Sequence, residues 1–217
     1  MGETDKSKNS NQLLTDIAKQ VRKCQKCPLY KTAKNAVPGE GNEKADLVFI
    51  GEAPGKNEDE QGEPFVGRAG KLLDFLIRQI GYTREQVWIG NIIKHRPPNN
   101  RDPQPEEIDA CKGYLTHQLQ ILNPKVIVTL GRFAMNYFLP NEKISRAHGK
   151  PYKLSNFTLY PVYHPAAGLR NPKMKTALIA DFLQIPDILK GKEEDEQSNA
   201  QQAGSSDKDK SEQISLL

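Results

Sequence analysis

The stretch "LVFIGEAPGKNEDEQGEPFVGRAGKLLDFLIRQI" (47–80) decides the fold. It opens on a run of large apolar residues, breaks at Gly51, crosses a loop rich in glycine and carboxylates, and turns into a helical pattern. Leu72, Leu73, Leu76, Ile77 and Ile80 share one face at helical spacing, and Gly81 stands where a helix would stop. A strand that is apolar without alternation is covered on both faces, as in a parallel sheet. Buried strand, loop and one-sided helix make the first part of a strand–helix–strand unit. The loop between them is unusual, because so acidic and glycine-rich a segment follows a hydrophobic strand directly.

The same alternation continues on either side. "DLVFI" (46–50), "QVWIGNII" (86–93), "KVIVTL" (125–130) and "TLYPVY" (158–163) all read as buried strands. Between them, "PEEIDACKGYLTHQLQIL" starts with Pro105 and two glutamates, a good first helical turn, and would bury Ile108, Cys111, Leu115, Leu119 and Leu122. "RFAMNYFL" follows the third strand, "KMKTALIADFLQI" closes the domain and "NQLLTDIAKQVRKC" opens it. The expected class is therefore α/β, a three-layer α/β/α sandwich with a central, mainly parallel four-stranded sheet. Ligands in such folds bind beyond the carboxyl ends of the strands. Four peculiar segments fall at those ends: "GEAPG", "NIIKHRPPNNRDP", "LGR" and "YHPAAGLRNP".

Composition sets the limits. Of 217 residues only 36% are hydrophobic. Residues 1–10 and 191–217 are polar and are expected to be disordered, which leaves 11–190 as one folded domain. A net charge of +4 permits a polyanionic partner without requiring one. No apolar run reaches bilayer length and the start is polar, so neither a membrane span nor a signal peptide is expected, and a cytoplasmic setting is. Three cysteines make no disulfide framework; the pair in "CQKC" points to metal or redox chemistry.

Taken singly, the motifs are ambiguous. Residues 51–55 carry neither a P-loop nor a dinucleotide fingerprint, and alone they describe a turn. Phe65, in a polar loop bounded by glycines, either stacks on a flat ligand or packs beneath the loop. His164 ends a strand at the ligand rim, although a lone histidine is usually structural.

Together, "CQKC", "GEAPGKNEDEQGEPFVGRAGKLLD", "NIIKHRPPNNRDP" and "HPAAGLRNP", in that order and spacing, resemble the family-4 uracil-DNA glycosylases of the uracil-DNA glycosylase superfamily. The resemblance spans nearly the whole folded part. It implies hydrolysis of the N-glycosidic bond of deoxyuridine in DNA, with the base flipped out of the duplex and an abasic site left behind. It assigns Phe65 to stack on uracil, Asn91 to pair with the uracil edge, and His164 to stabilise charge on uracil O2. Leu169 would enter the duplex from the minor groove and Arg170 would meet phosphate. Ala53 stands where distant members carry an aspartate, leaving Glu52 and the loop backbone, with Asp59 as a further contributor, to position water.

The resemblance also implies a [4Fe-4S] cluster. Cys24, Cys27 and Cys111 match three of its ligands, while His95 stands where the family has a fourth cysteine. A Cys₃His set also suits zinc, which is the alternative metal. The expected role is structural, shaping a DNA-facing surface with Lys94, Arg96 and Arg101. Two other functions stay open: a relative that binds or covalently traps uracil-DNA with little turnover, and a zinc-stapled nucleic-acid-binding domain without catalysis. A monomer is expected, with the tail available to a replication or repair partner.

Overall fold

The structure, a computed structural model, describes residues 3–191, of which 3–9 are described by backbone alone. The disorder expected of the C-terminal tail from residue 192 on lies outside the described residues. The strands are β1 (Glu40–Gly41), β2 (Leu47–Gly51), β3 (Trp88–Asn91), β4 (Val126–Leu130), β5 (Tyr152–Lys153) and β6 (Thr158–Val162). The helices are α1 (Glu3–Arg22), α2 (Lys56–Gln61), α3 (Arg68–Gln79), α4 (Pro105–Leu122), α5 (Arg132–Phe138), α6 (Ile144–Ala147), α7 (Pro165–Arg170) and α8 (Pro172–Leu183). A further helical segment covers 185–191.

The strands form one sheet in the order β1-β3-β2-β4-β6-β5. The central four are parallel, with Phe49 level with Ile89 on one side and Val128 on the other. β1 and β5 add antiparallel edges. Alternation along the strands builds the three layers. Leu47, Phe49, Val128 and Tyr160 face α3 and α8, with Phe49 stacked on Phe182 at 5.7 Å between ring centres. Val48, Ile50, Ile127 and Leu159 face the opposite side, where Ile17 and Val21 of α1 meet Cys111, Tyr114 and Leu115 of α4. Burying a side chain of that size contributes about 1.5–3 kcal/mol, so both faces are needed to hold a sheet this apolar.

The four expected strands and their intervening helices are present, α4 with the same bounds. All five residues expected on the buried face of α3 are buried. Three features differ. The sheet has six strands rather than four, because two-residue edge strands leave no periodicity to read. Helix α1 starts at Glu3, so its first turns take in residues that composition assigned to an unstructured start. The acidic part of the loop after β2 is helix α2 rather than open loop.

Candidate functional site

The chain runs from β2 to β3 on one side and then crosses back to β4 on the other, so a crevice opens beyond the carboxyl ends of β2 and β4. There the structure has a cavity of about 550 Å³, lined among others by Glu52, Ala53, Phe65, Asn91, His164 and Arg170. Six site residues proposed from distant parts of the sequence thus share one space.

Asn91 ends β3 and is 1% exposed. Its Oδ1 is one of two buried side-chain polar atoms among the described residues with no hydrogen-bond partner. An unmet buried acceptor costs roughly 1–3 kcal/mol, so its persistence at a cavity wall marks a place for an incoming donor. Gly51 makes the room. A Cβ there would stand 2.5 Å from both Asn91 Oδ1 and Phe65 Cζ.

Phe65 has a left-handed backbone, with φ of 53°. Such a conformation in a bulky residue needs support, and three groups supply it. Glu58 Oε1, from α2, accepts from Val66 N–H at 3.0 Å and Gly67 N–H at 2.9 Å. Arg84 donates to the carbonyls of Pro64 and Phe65 while paired with Glu40 and Asp74, both at 2.9 Å. Gly70 lets the first turn of α3 close under the loop, since a Cβ there would fall 1.7 Å from Phe65 O. The ring is thereby held at 5.8 Å, centre to centre, from the His164 ring, 29° from parallel.

His164 caps α7, its Nδ1 accepting the Ala166 N–H at 3.1 Å. That bond leaves the ring proton on Nε2. Burial, with Arg170 nearby and Glu58 opposing, lowers its pKa to about 4, so the ring is neutral at physiological pH. Glu52, just past β2, is pushed the other way. Burial and the neighbouring Asp102 raise it to about 7, against the pull of Arg132. The cavity therefore holds a neutral imidazole and a carboxyl that titrates near neutrality. Leu169 is 39% exposed beside Arg170 at the end of α7, on the rim.

The sequence profile of the uracil DNA glycosylase superfamily matches residues 38–185. The chain belongs to that superfamily. It is 50% identical over 186 residues to the type-4 uracil-DNA glycosylase of Saccharolobus solfataricus, covering 81% of this chain and 86% of the relative. The type-4 uracil-DNA glycosylases of Archaeoglobus fulgidus and Thermotoga maritima are 48% and 46% identical, with 92% and 96% of their lengths covered.

The three thiols lie in a separate packed cluster, none of them lining this glycosylase-family cavity. Cys24 and Cys27 are half-buried, Cys111 is buried, and all three are free thiols. They lie within electrostatic reach of one another, and burial pushes Cys111 up to about 11, offset by Lys94. Three gathered thiols with a cation beside them suit a thiophilic metal. Among the described residues, however, no three His, Cys, Asp or Glu side chains are closed to ligand geometry. His95 is 7% exposed, feels Asp59, and shares a second cavity of about 450 Å³ with Cys24 rather than opening on the base pocket.

Two residues expected at the DNA surface or the water site, Lys94 and Asp59, lie elsewhere. Lys94 is fully buried, bonded to Asn91 O at 2.9 Å and Gln118 Oε1 at 2.8 Å. Arg96 and Arg101, by contrast, lie near the surface, Arg96 bonded to Asn100 and Arg101 paired with Glu107 at 2.6 Å while lining the cavity. Asp59 accepts the main-chain N–H groups of Lys34 and Asn35 at 2.8 and 3.1 Å, which fixes the N-terminal segment and leaves it no part in the cavity wall. Sequence reasoning missed Glu58 and Arg84, the supports of Phe65. Glu58 stood in plain view in the acidic run, but its backbone partners lie eight and nine residues away.

Proposed function

We propose that the chain is a uracil-DNA glycosylase that hydrolyses the N-glycosidic bond of deoxyuridine in DNA. The unpartnered Asn91 Oδ1 on the cavity wall carries this reading. An amide there offers an acceptor for uracil N3–H and a donor for O4, and cytosine presents the reverse pattern. The Phe65 ring stacks on the flat base. As the bond breaks, negative charge grows on uracil O2, and the Nε2–H of neutral His164 donates to it. A donor held in advance at a developing oxyanion is a large source of rate enhancement. Glu52 in its ionised form orients water toward the cation-like sugar, and Ala53 leaves that task to it. Leu169 fills the space vacated by the flipped nucleotide and Arg170 meets a neighbouring phosphate.

Cys24, Cys27, Cys111 and His95 are the residues that would hold a [4Fe-4S] cluster, with zinc as the alternative. Such a centre, when bound, supplies no electron to a hydrolysis and acts by tying α1 and its following loop to α4. The packing of Cys24, Cys27 and Cys111 in one cluster supports it.

The test is incubation of the full chain with an oligonucleotide carrying one uracil, then alkaline cleavage, with thymine and cytosine oligonucleotides alongside. Multiple turnovers on uracil alone are expected, and Asn91→Asp should lower the rate on the order of a hundredfold or more. Stoichiometric binding without strand cleavage would favour a trapping relative. Iron and zinc analysis of protein purified without oxygen identifies the metal.

A further inference from the structure

We propose that Arg132 binds a phosphate of the DNA strand beside the flipped nucleotide, and that Asp102 occupies its guanidinium until that phosphate takes the carboxylate's place. The inference rests on the reading of DNA as the partner, and it adds a second phosphate contact to the one given to Arg170.

Arg132 opens α5 directly beyond β4, and it lines the cavity. Gly131, just before it, lies so close to the pocket histidine that a Cβ there would stand 2.9 Å from His164 Cβ. The arginine therefore starts one residue from the wall that meets the base. Its guanidinium lies 4.0 Å from the centre of the Phe133 ring, and Phe133 lines the same cavity. A planar cation resting on a ring is already oriented, and its parallel N–H groups suit two oxygens of a phosphate.

That fork is engaged by a carboxylate. Arg132 Nη2 donates to Asp102 Oδ2 at 2.5 Å. The two side chains remain 58% and 62% exposed. An ion pair so open to water contributes little, so a phosphate that brings two charge-assisted hydrogen bonds can displace it. Asp102 is placed there by a braced loop. Arg101 grips the buried Glu107 at 2.9 and 2.6 Å, and it also donates to the Asp102 carbonyl at 2.9 Å. Asn99 and Asn100 are both left-handed, with φ of 55° and 53°. Asparagine tolerates that conformation, but rarely twice in succession. Arg96 holds the second of them, its Nε donating to Asn100 Oδ1 at 2.7 Å. With the main chain fixed in this way, release of Arg132 needs only a turn of the Asp102 side chain.

The experiment measures binding to a uracil-free duplex, by fluorescence anisotropy over a range of salt. It compares the full chain with Arg132→Gln, Asp102→Asn and the double variant. Binding is read rather than excision, because both residues also bear on Glu52. Arg132→Gln should weaken binding about fivefold and reduce the slope of log affinity against log salt by about 1. Asp102→Asn should tighten binding about threefold, within the range of an exposed pair. In the Arg132→Gln background the same Asp102→Asn change should have less than about a twofold effect, because no arginine remains to be freed. A carboxylate that merely repels DNA would tighten binding equally in both backgrounds, and that result overturns the exchange. Weaker binding by Asp102→Asn, or an unchanged slope in Arg132→Gln, overturns it too. A parent chain that does not bind DNA overturns the reading of the function and this proposal with it. A parent that binds and excises uracil, with Arg132→Gln silent, overturns this proposal alone.

Discussion

At the scale of single residues, the cavity works by small allowances. Gly51 gives up a side chain so that Phe65 and Asn91 can approach each other. Gly51→Ala should therefore lower uracil excision by roughly a hundredfold, because the added methyl forces the amide or the ring aside. Single-turnover assays together with a melting curve would separate that loss from unfolding. Glu52 makes a second, pH-dependent prediction. If its ionised form directs water, excision should rise with pH through about 7, and Glu52→Gln should remove that inflection. His164 stays neutral across the same range and adds no step there. The stability effect has a definite sign. The folded pKa of Glu52 exceeds its ordinary 4.5, so the folded chain binds that proton more tightly. The carboxyl becomes progressively unfavourable to folding as pH climbs from 4.5 to about 7. Glu52→Gln should accordingly melt higher than the parent at pH 8 and no higher at pH 4, as calorimetry would show.

At the scale of elements, the loop between β2 and α3 depends on partners remote in sequence. Arg84 reaches back to two carbonyls of that loop and forward to Glu40 and Asp74. Arg84→Met leaves two carboxylates and two carbonyls unserved. It should cost about 1–3 kcal/mol, lower the melting midpoint by roughly 2–10 °C, and reduce turnover through a less fixed Phe65. Thermal melting and kcat measured on the same preparation test both parts. This dependence also explains what the sequence did and did not disclose. The four central strands were legible because each is continuously apolar, and α4 because Pro105 and paired glutamates announce it. Lys94 reads from the sequence as part of a DNA-facing surface, but it is buried. It lies in a basic run, and nothing local reveals that Gln118 and the Asn91 carbonyl would take it inside. Asp59 reads from the sequence as a contributor to positioning water, whereas the main-chain N–H groups of Lys34 and Asn35 claim it first.

At the scale of the whole molecule, the candidate site was legible as a set though not as a geometry. Gly51, Asn91, Gly131 and His164 stand at the ends of four strands, and parallel pairing alone brings such ends to one rim. The thiol cluster was legible in its residues, while the placement of His95 beside Asp59 was not. For a DNA partner, rim cations govern affinity through counterion release. Arg170→Ala should reduce the slope of log affinity against log salt by about 1 and weaken binding alike on uracil and undamaged duplexes, measurable by fluorescence anisotropy. The sheet carries one more consequence. Its two outermost strands are only two residues long, so each flank exposes too few free main-chain groups to recruit a strand from a neighbouring molecule. A scaffold this rich in valine and isoleucine is thus shielded, on both margins, from the edge-to-edge growth that leads to fibrils.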